Sequence, residues 1–344
     1  MKGKGFFRCT AVLVMFALCI PALLFAAERE VDLDAPPQAL VVYGALHEYE
    51  ISRILDRFER DTGIRTEFIR LSAGALAARV MAEKARPGGD IFLGGPSDTH
   101  ESIIPEGVLR PYKSPSLDDI DQFFYHPEHY WSGFYVGPLA LAINRNRWKA
   151  SFGDDPYPKT WEDLLDPKFR GMISMASPAA SGTAYTIVAT QFFRLGEEAG
   201  WEFLEKLHPN IAHYTSSGAA PVQQASTGEV LMGMAFAHDI MKPMASGFPL
   251  DLVFPENTGW EIGGLSIING GPNPKAAEMF VDWMLKRDAQ QLHTDLSLRI
   301  STHPDVALPP GATPLTALKL VDYDGVWAGA NRTRIVEEFN NRFF

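Results

Sequence analysis

Cysteine is almost missing from this sequence. Of 344 residues only Cys9 and Cys19 are cysteines, and both fall in the first 27. That segment opens with Lys2, Lys4 and Arg8, runs uncharged from Thr10 to Ala27, and gives way to EREVDLD at Glu28. A basic start, an apolar run and small residues at its end form the pattern of a cleaved secretory signal. The cut is expected after Ala26 or Ala27. A membrane anchor is the competing reading, but the run is at the lower limit for a span. Leu18 before Cys19, and the apolar stretch after it, argue against a lipid-bearing cysteine. The expected mature chain therefore enters an oxidising compartment with no thiol to pair, and a buried core must supply its stability. Its length suits one or two domains.

Basic charge is also scarce. The formal net charge is -11, and removal of the signal's three basic residues takes it to about -14. Nucleic acid needs a basic face, so it is not an expected partner. A small anion remains possible, because local dipoles outweigh a distant net charge. No GxSxG elbow, no GxxxxGK[ST] loop and no internal repeat occurs, which removes the commonest nucleophile and nucleotide signatures. No two tyrosines are adjacent. His126 and His129 in YHPEHYW have a metal-like spacing, but the proline-broken context and the lack of a companion ligand cluster read as a loop. No cofactor or metal is expected.

What is present is alternating strand and helix. ALVVYGA reads as a buried strand. In HEYEISRILDRFERDTG, residues Ile51, Ile54, Leu55 and Phe58 mark one helical face, and Gly63 ends it. RTEFIRL, SAGALAARVMAEKARPG and DIFLGG continue as strand, helix and strand. The order βαβαβ predicts a parallel sheet with ligands at the carboxyl ends of its strands. A second α/β unit follows: GPLALAINRN, a helix at TWEDLLDPKFRG capped by Thr160, the strand GMISMA and the helix after SGTAY. WEFLEKLHP, IAHYT, a helix from SSGAAPVQQAST and the strand MGMAFAH complete it. WEIGGLSIING leads back, NPKAAEMFVDWMLK is an amphipathic helix, and RTRIVEEFNNRF a terminal one. Two α/β lobes with a cleft between them are expected, crossed near Tyr135–Leu139 and Glu261–Leu265. Glycines 133, 137, 263 and 264 suit hinges and tight packing equally.

Several stretches together resemble the periplasmic solute-binding proteins of ABC importers, in the branch of ferric-ion binders and their sugar-phosphate- and phosphonate-binding relatives. They are LVVYGALHEYEISRILDRFERDTGI, AEKARPGGDIFLGG, GVLRPYKSP, YWSGFYVGPLALAINRN, YPKTWEDLLDPKFRGMI and GGPNPKAAEMFVDWML. The resemblance covers nearly all of the mature chain. It implies a type II periplasmic binding fold: two lobes, each a mixed, mostly parallel sheet flanked by helices, joined by two crossing strands. Residues 1–27 are then the signal, 28–137 with 265–344 one lobe, and 138–264 the other, the C-terminal helices packing on either. It implies a monomer without catalytic activity that hands a solute to the membrane subunits of a permease.

The stretch SPAASGTAY, Ser177 to Tyr185, crowds hydroxyls where a strand ends and a helix begins. Ser181 caps that helix on the plain reading. A helix start with small residues also leaves amides outward beside hydroxyls, which suits phosphate or carboxylate. Four such starts are expected: Ala45–Leu46–His47, Ser72–Ala73–Gly74, Ser181–Gly182–Thr183 with Ser177 before it, and Ser216–Ser217–Gly218. The resemblance places these segments around the cleft, with Gly95 at the end of DIFLGG. Capping alone explains any single serine as well.

In FAHD, His238 and Asp239 at a strand end can bind hydroxyls or an amine. An ordinary loop pair is the plain alternative. Ferric-ion binders carry adjacent tyrosines at this position, and oxygens of that kind suit a hard cation. This chain departs from that pattern and is more similar to the sugar-phosphate branch, for which Glu261 supplies the acidic residue on the return strand. Trp260 beside it is a candidate to stack on a sugar ring, Trp161 and Trp201 read as core, and Trp131 and Tyr135 as cleft wall or hinge brace. The expected ligand is a small phosphorylated or phosphonate-type anion. A ferric-ion binder of the same fold, a secreted hydrolase and a sensory module are the rivals.

Overall fold

A computed structural model describes residues 39–344, so the expected signal and its two cysteines lie outside the described residues. The first sheet contains β1 (Ala39–Gly44), β2 (Arg65–Arg70), β3 (Ile91–Pro96) and β4 (Leu109–Arg110). The long strand β5 (Ser132–Asn144) leads to β6 (Ile173–Ala176), β7 (Ile211–Thr215), β8 (Met232–Phe236) and β9 (Leu250–Val253). The chain returns through β10 (Trp260–Ile268), and β11 (Ile300–Ser301) adds a short edge. Helices α1 (Glu48–Thr62), α2 (Ala73–Ala82) and α3 (Ser97–Glu101) belong to the first part. The middle holds α4 (Arg145–Phe152), α5 (Gly182–Leu195), α6 (Glu197–Leu207), α7 (Ala220–Thr227) and α8 (Ala237–Ala245). α9 (Pro274–Met284), α10 (Arg287–Ser297) and α11 (Gly325–Phe343) complete the chain.

The main strand order is β2-β1-β3-β10-β5-β8-β6-β7. β1 pairs in parallel with β2 and β3, and β6 with β7 and β8, as strands joined by crossover helices do. The pairings of β5 and β10 are antiparallel. These two are the crossing strands of the two-lobed α/β fold. The first half of β5 pairs with β10, Gly137 opposite Glu261 and Tyr135 opposite Gly263, and its second half pairs with β8 and β9. All 13 residues of β5 are buried, so it reads as a continuous apolar run rather than an alternating one. The hinge glycines answer to packing: a Cβ on Gly137 would stand 2.9 Å from His238 Nδ1, and one on Gly263 would overlap the Tyr135 ring.

α1 follows its sequence pattern. Ile51, Ile54, Leu55 and Phe58 are buried, and Gly63 ends the helix with φ 74°. Trp161 and Trp201 lie in the core of the second sheet with Leu141, Ile173 and Phe192. α11 packs across both parts of the chain. Arg332 donates to Asp98 of α3 at 3.3 Å, and Ile335 and Phe339 join the core around α5 and α6.

Three elements differ from expectation. TWEDLLDPKFRG forms two 3₁₀ turns, Glu162–Leu165 and Pro167–Phe169, because Pro167 cannot continue a helix; Thr160 Oγ1 still accepts from Asp163 N at 3.2 Å. α7 starts at Ala220, so Ser216–Gly218 form the preceding loop rather than the helix start. FAHD does not end in a loop: β8 stops at Phe236, and His238 and Asp239 occupy the first turn of α8.

Candidate functional site

One cavity, of about 50 Å3, lies where the strand ends of both sheets face each other. Ala45, Leu46 and His47 reach it from the β1–α1 turn, and Ser72 and Ala73 from the start of α2. Gly95 comes from the end of β3. On the opposite side are Ser181, Gly182 and Thr183 at the start of α5, and Ser217 and Gly218 from the loop before α7. His238 and Asp239 of α8 and Glu261 of β10 close the rear. Sequence reasoning thus names fourteen residues that converge on one cavity.

Three others are placed beside it. Ser216 presents its carbonyl to Ser72 Oγ, which donates at 2.9 Å. Gly74 packs on backbone, so that a Cβ there would come 2.6 Å from Ala179 O. Ser177 shapes the turn, its carbonyl accepting from Ser181 N at 2.9 Å. All three serve the walls by backbone position, which hydroxyl content does not report.

The front of the cavity is a set of donors. Ser181 caps α5, its oxygen accepting from Ala184 N at 3.4 Å, so its own O–H proton is free to donate. Gly218 lies against the hydroxyls of Thr183 and Ser181, where an added Cβ would stand 2.2 and 3.0 Å from them. Arg70, at the end of β2, was missed by sequence reasoning. Its Nε donates to Leu46 O at 3.1 Å, which leaves both terminal nitrogens for the cavity it lines. An arginine at the carboxyl end of a strand, two residues before a helix cap, was the available signal. Arginine forks suit phosphate and carboxylate.

The rear is acidic, and its members differ in protonation. Burial pushes the Glu261 carboxyl well above the usual range, so it favours the neutral, hydrogen-bond-donating form. Burial opposes ionisation of Asp239 too, but the His47 hydrogen bond and Lys242 hold it well below the usual range. Burial and Arg299 push His238 far below the ordinary histidine value, so His238 is neutral. Lys242 Nζ stands 3.6 Å from Asp239 Oδ1. His238 Nδ1 is buried and has no hydrogen-bond partner.

Contacts also cross the cleft directly. His47 Nε2 lies 2.9 Å from Asp239 Oδ1, and Lys242 bonds the Glu50 carboxylate. Glu50, at the third position of α1, is fully buried and also takes Arg299 at 2.7 Å. Burial alone would raise the Glu50 carboxyl, but Arg299 and Lys242 lower it well below the usual range. Arg299 lines the cavity, and nothing in LSLRIST marks it as part of a site. Tyr135 lines the cavity as well, while Trp131 is a brace, its Nε1 donating to Glu101 at 2.6 Å. Trp260 does not face the cavity; it stacks on Phe123 with ring centres 5.8 Å apart. Among the described residues no group of three or more His, Cys, Asp or Glu is arranged to hold a metal ion.

With this geometry in place, comparison with known proteins defines the class. The family model for bacterial extracellular solute-binding proteins matches residues 89–326, and the chain belongs to that family. A protein of Haemophilus influenzae is 36% identical over 326 residues, covering 92% of this chain and 94% of its own. Among solved structures, the periplasmic binding protein AfuA of Actinobacillus pleuropneumoniae, with exogenous fructose-6-phosphate bound, is 35% identical with a TM-score of 0.85. That match covers 89% of this chain and 98% of that one. The apo ferric ion-binding protein A of Pasteurella haemolytica shares the fold at 20% identity and TM-score 0.74, over 89% of this chain and 98% of its own. The protein is thus a solute-binding protein of the ABC transporter type, a class that works in the periplasm and delivers small molecules to permease subunits. No helix among the described residues is long and apolar enough to cross a membrane.

Proposed function

We propose that this protein captures a small phosphorylated organic anion of the hexose phosphate kind and delivers it to an ABC permease. The observation that carries the reading is the polarity of the cavity between the strand ends. Hydroxyls, helix-start amides and Arg70 occupy its front, and a neutral acid, a carboxylate and a neutral imidazole its rear. A phosphate suits the first group and is repelled by Asp239. A polyhydroxyl body suits the second, because Glu261 can donate while Asp239 accepts. The fructose-6-phosphate in the AfuA structure has both ends, which supports the assignment at 35% identity.

Contacts from His47 to Asp239 and from Ser72 to Ser216 already join the two sides of the cleft. Admission of the solute therefore requires the lobes to part. In this account residues 28–137 with 265–344 move against 138–264 about β5 and β10, and the mature chain acts as a periplasmic monomer without catalysis. The ligand takes over contacts that His47, Asp239, Ser72 and Ser216 otherwise make to each other. Closure follows because it touches both sides only when they meet.

Two variants test the polarity. Ser181→Ala with Thr183→Ala should weaken every phosphorylated ligand alike, by about tenfold or more if two donors are lost. Asp239→Asn should change the ranking among hexose phosphate, glycerol phosphate and aminoalkyl phosphonate, while inorganic phosphate binds as before. Isothermal titration reads both. Wild-type affinities in the double variant would make those hydroxyls helix caps only.

A further inference from the structure

Behind the crossing strands lies a second cavity, of about 230 Å3, which the capture of a phosphorylated solute does not use. Glu261 and Pro96 belong to both cavities and form the wall between them. The rear cavity has two kinds of lining. Phe123, Tyr125, Trp131, Trp260 and Tyr323 give aromatic surface, with Phe123 60% exposed at the mouth and stacked on Trp260 at an interplanar angle of 19°. Asp98, Glu101, Asp324 and Glu261 give carboxyls, and no lysine or arginine lines the space.

These carboxyls are short of cations. Asp98 has Arg332 at 3.3 Å and the Tyr323 hydroxyl at 2.7 Å. Glu101 has only His126, at 3.8 Å, and the Trp131 indole. Glu261 is 3% exposed and makes no ion pair among the described residues. Burial raises the carboxyls of Glu101 and Asp98 and holds that of Glu261 well above its usual range, so a cation bound here would favour their ionised forms. Part of the acceptor capacity is taken: Glu101 Oε1 serves Trp131, Asp98 serves Arg332 and Tyr323, and Asp324 Oδ1 caps Trp327 N at 2.9 Å. A cation without N–H groups needs no acceptor, because aromatic faces and nearby carboxylates attract it directly.

We propose that this rear cavity is a binding site for a small quaternary ammonium compound, held by its aromatic wall and the carboxyls of Glu101 and Asp324. The site is separate from the solute cleft, and both can be filled at once.

Choline is the probe, and 3,3-dimethylbutan-1-ol, the neutral compound of the same shape, is its control. Titration of the mature protein should show saturable choline binding in the millimolar range or tighter, with the alcohol about tenfold weaker or more. Phe123→Ala, at an exposed mouth position, and Glu101→Gln should each weaken choline by about three- to thirtyfold. Fructose 6-phosphate binding should be unchanged in Phe123→Ala, which shows that the variant is folded. Choline should also bind to protein saturated with fructose 6-phosphate. The proposal is overturned if choline does not saturate, if the alcohol binds equally well, if Phe123→Ala leaves choline binding intact, or if the two ligands compete.

Discussion

Replacement of Arg299 by methionine is expected to lower the unfolding free energy by about 3 kcal/mol or more, within the range for breaking a buried ion pair from one side. Arg299 is 5% exposed, lies over the Tyr135 ring at 4.9 Å and donates to Glu50 at 2.7 Å. Glu50 has no exposure at all, and without Arg299 its remaining ion pair among the described residues is with Lys242, beside hydrogen bonds from the Tyr49 hydroxyl and the His47 amide. Pairing Arg299→Met with Glu50→Gln should recover much of the loss, because no stranded carboxylate remains. The acid limb should change as well. The Glu50 carboxyl is lower in the folded than in the unfolded chain, so its stabilisation is present above the unfolded value of 4.5 and is lost as pH falls below it. Arg299→Met should therefore flatten the decline in stability below that pH. Equilibrium urea unfolding across the acid range measures both effects. Equal stability of the wild type and the single variant would show that the pair contributes nothing.

Arg70→Ala is expected to weaken phosphorylated ligands by about 10- to 100-fold, the loss of one charge-assisted hydrogen bond of about 1.5–3 kcal/mol. Arg70 ends β2 at the cavity mouth, its Nε is fixed by Leu46 O, and its partly exposed side chain carries none of the core. The variant should keep its melting temperature and should bind an unphosphorylated hexose, however weakly, as the wild type does. Unchanged affinity for hexose phosphate in a competition assay would remove Arg70 from the site.

Local pattern in the sequence carried what depends on period and on strand ends. The α1 face, the parallel β1–β2–β3 unit and the caps Ser72 and Ser181 follow from residues close in the chain. Because α/β ligand sites gather at strand ends, the same reading reached most of the cavity wall. It could not reach what long-range packing decides. Arg299 enters from a segment after α10, and its role exists only because Glu50 faces it 249 residues away. Trp260 and Glu261 are neighbours, yet in a strand successive side chains point to opposite faces, so Trp260 turns to Phe123 behind the strand while Glu261 borders the cleft. Ser216 and Ser177 looked like donors by composition, whereas the fold uses their carbonyls.

The most direct test of the capture reading is isothermal titration of the mature protein with fructose 6-phosphate, fructose, inorganic phosphate and ferric citrate in turn. The account predicts that fructose 6-phosphate binds much more tightly than either fructose or phosphate alone, because it fills both ends of the cavity, and that ferric citrate does not displace it. Binding of ferric ion that survives excess citrate, with no heat from any phosphorylated sugar, would contradict it.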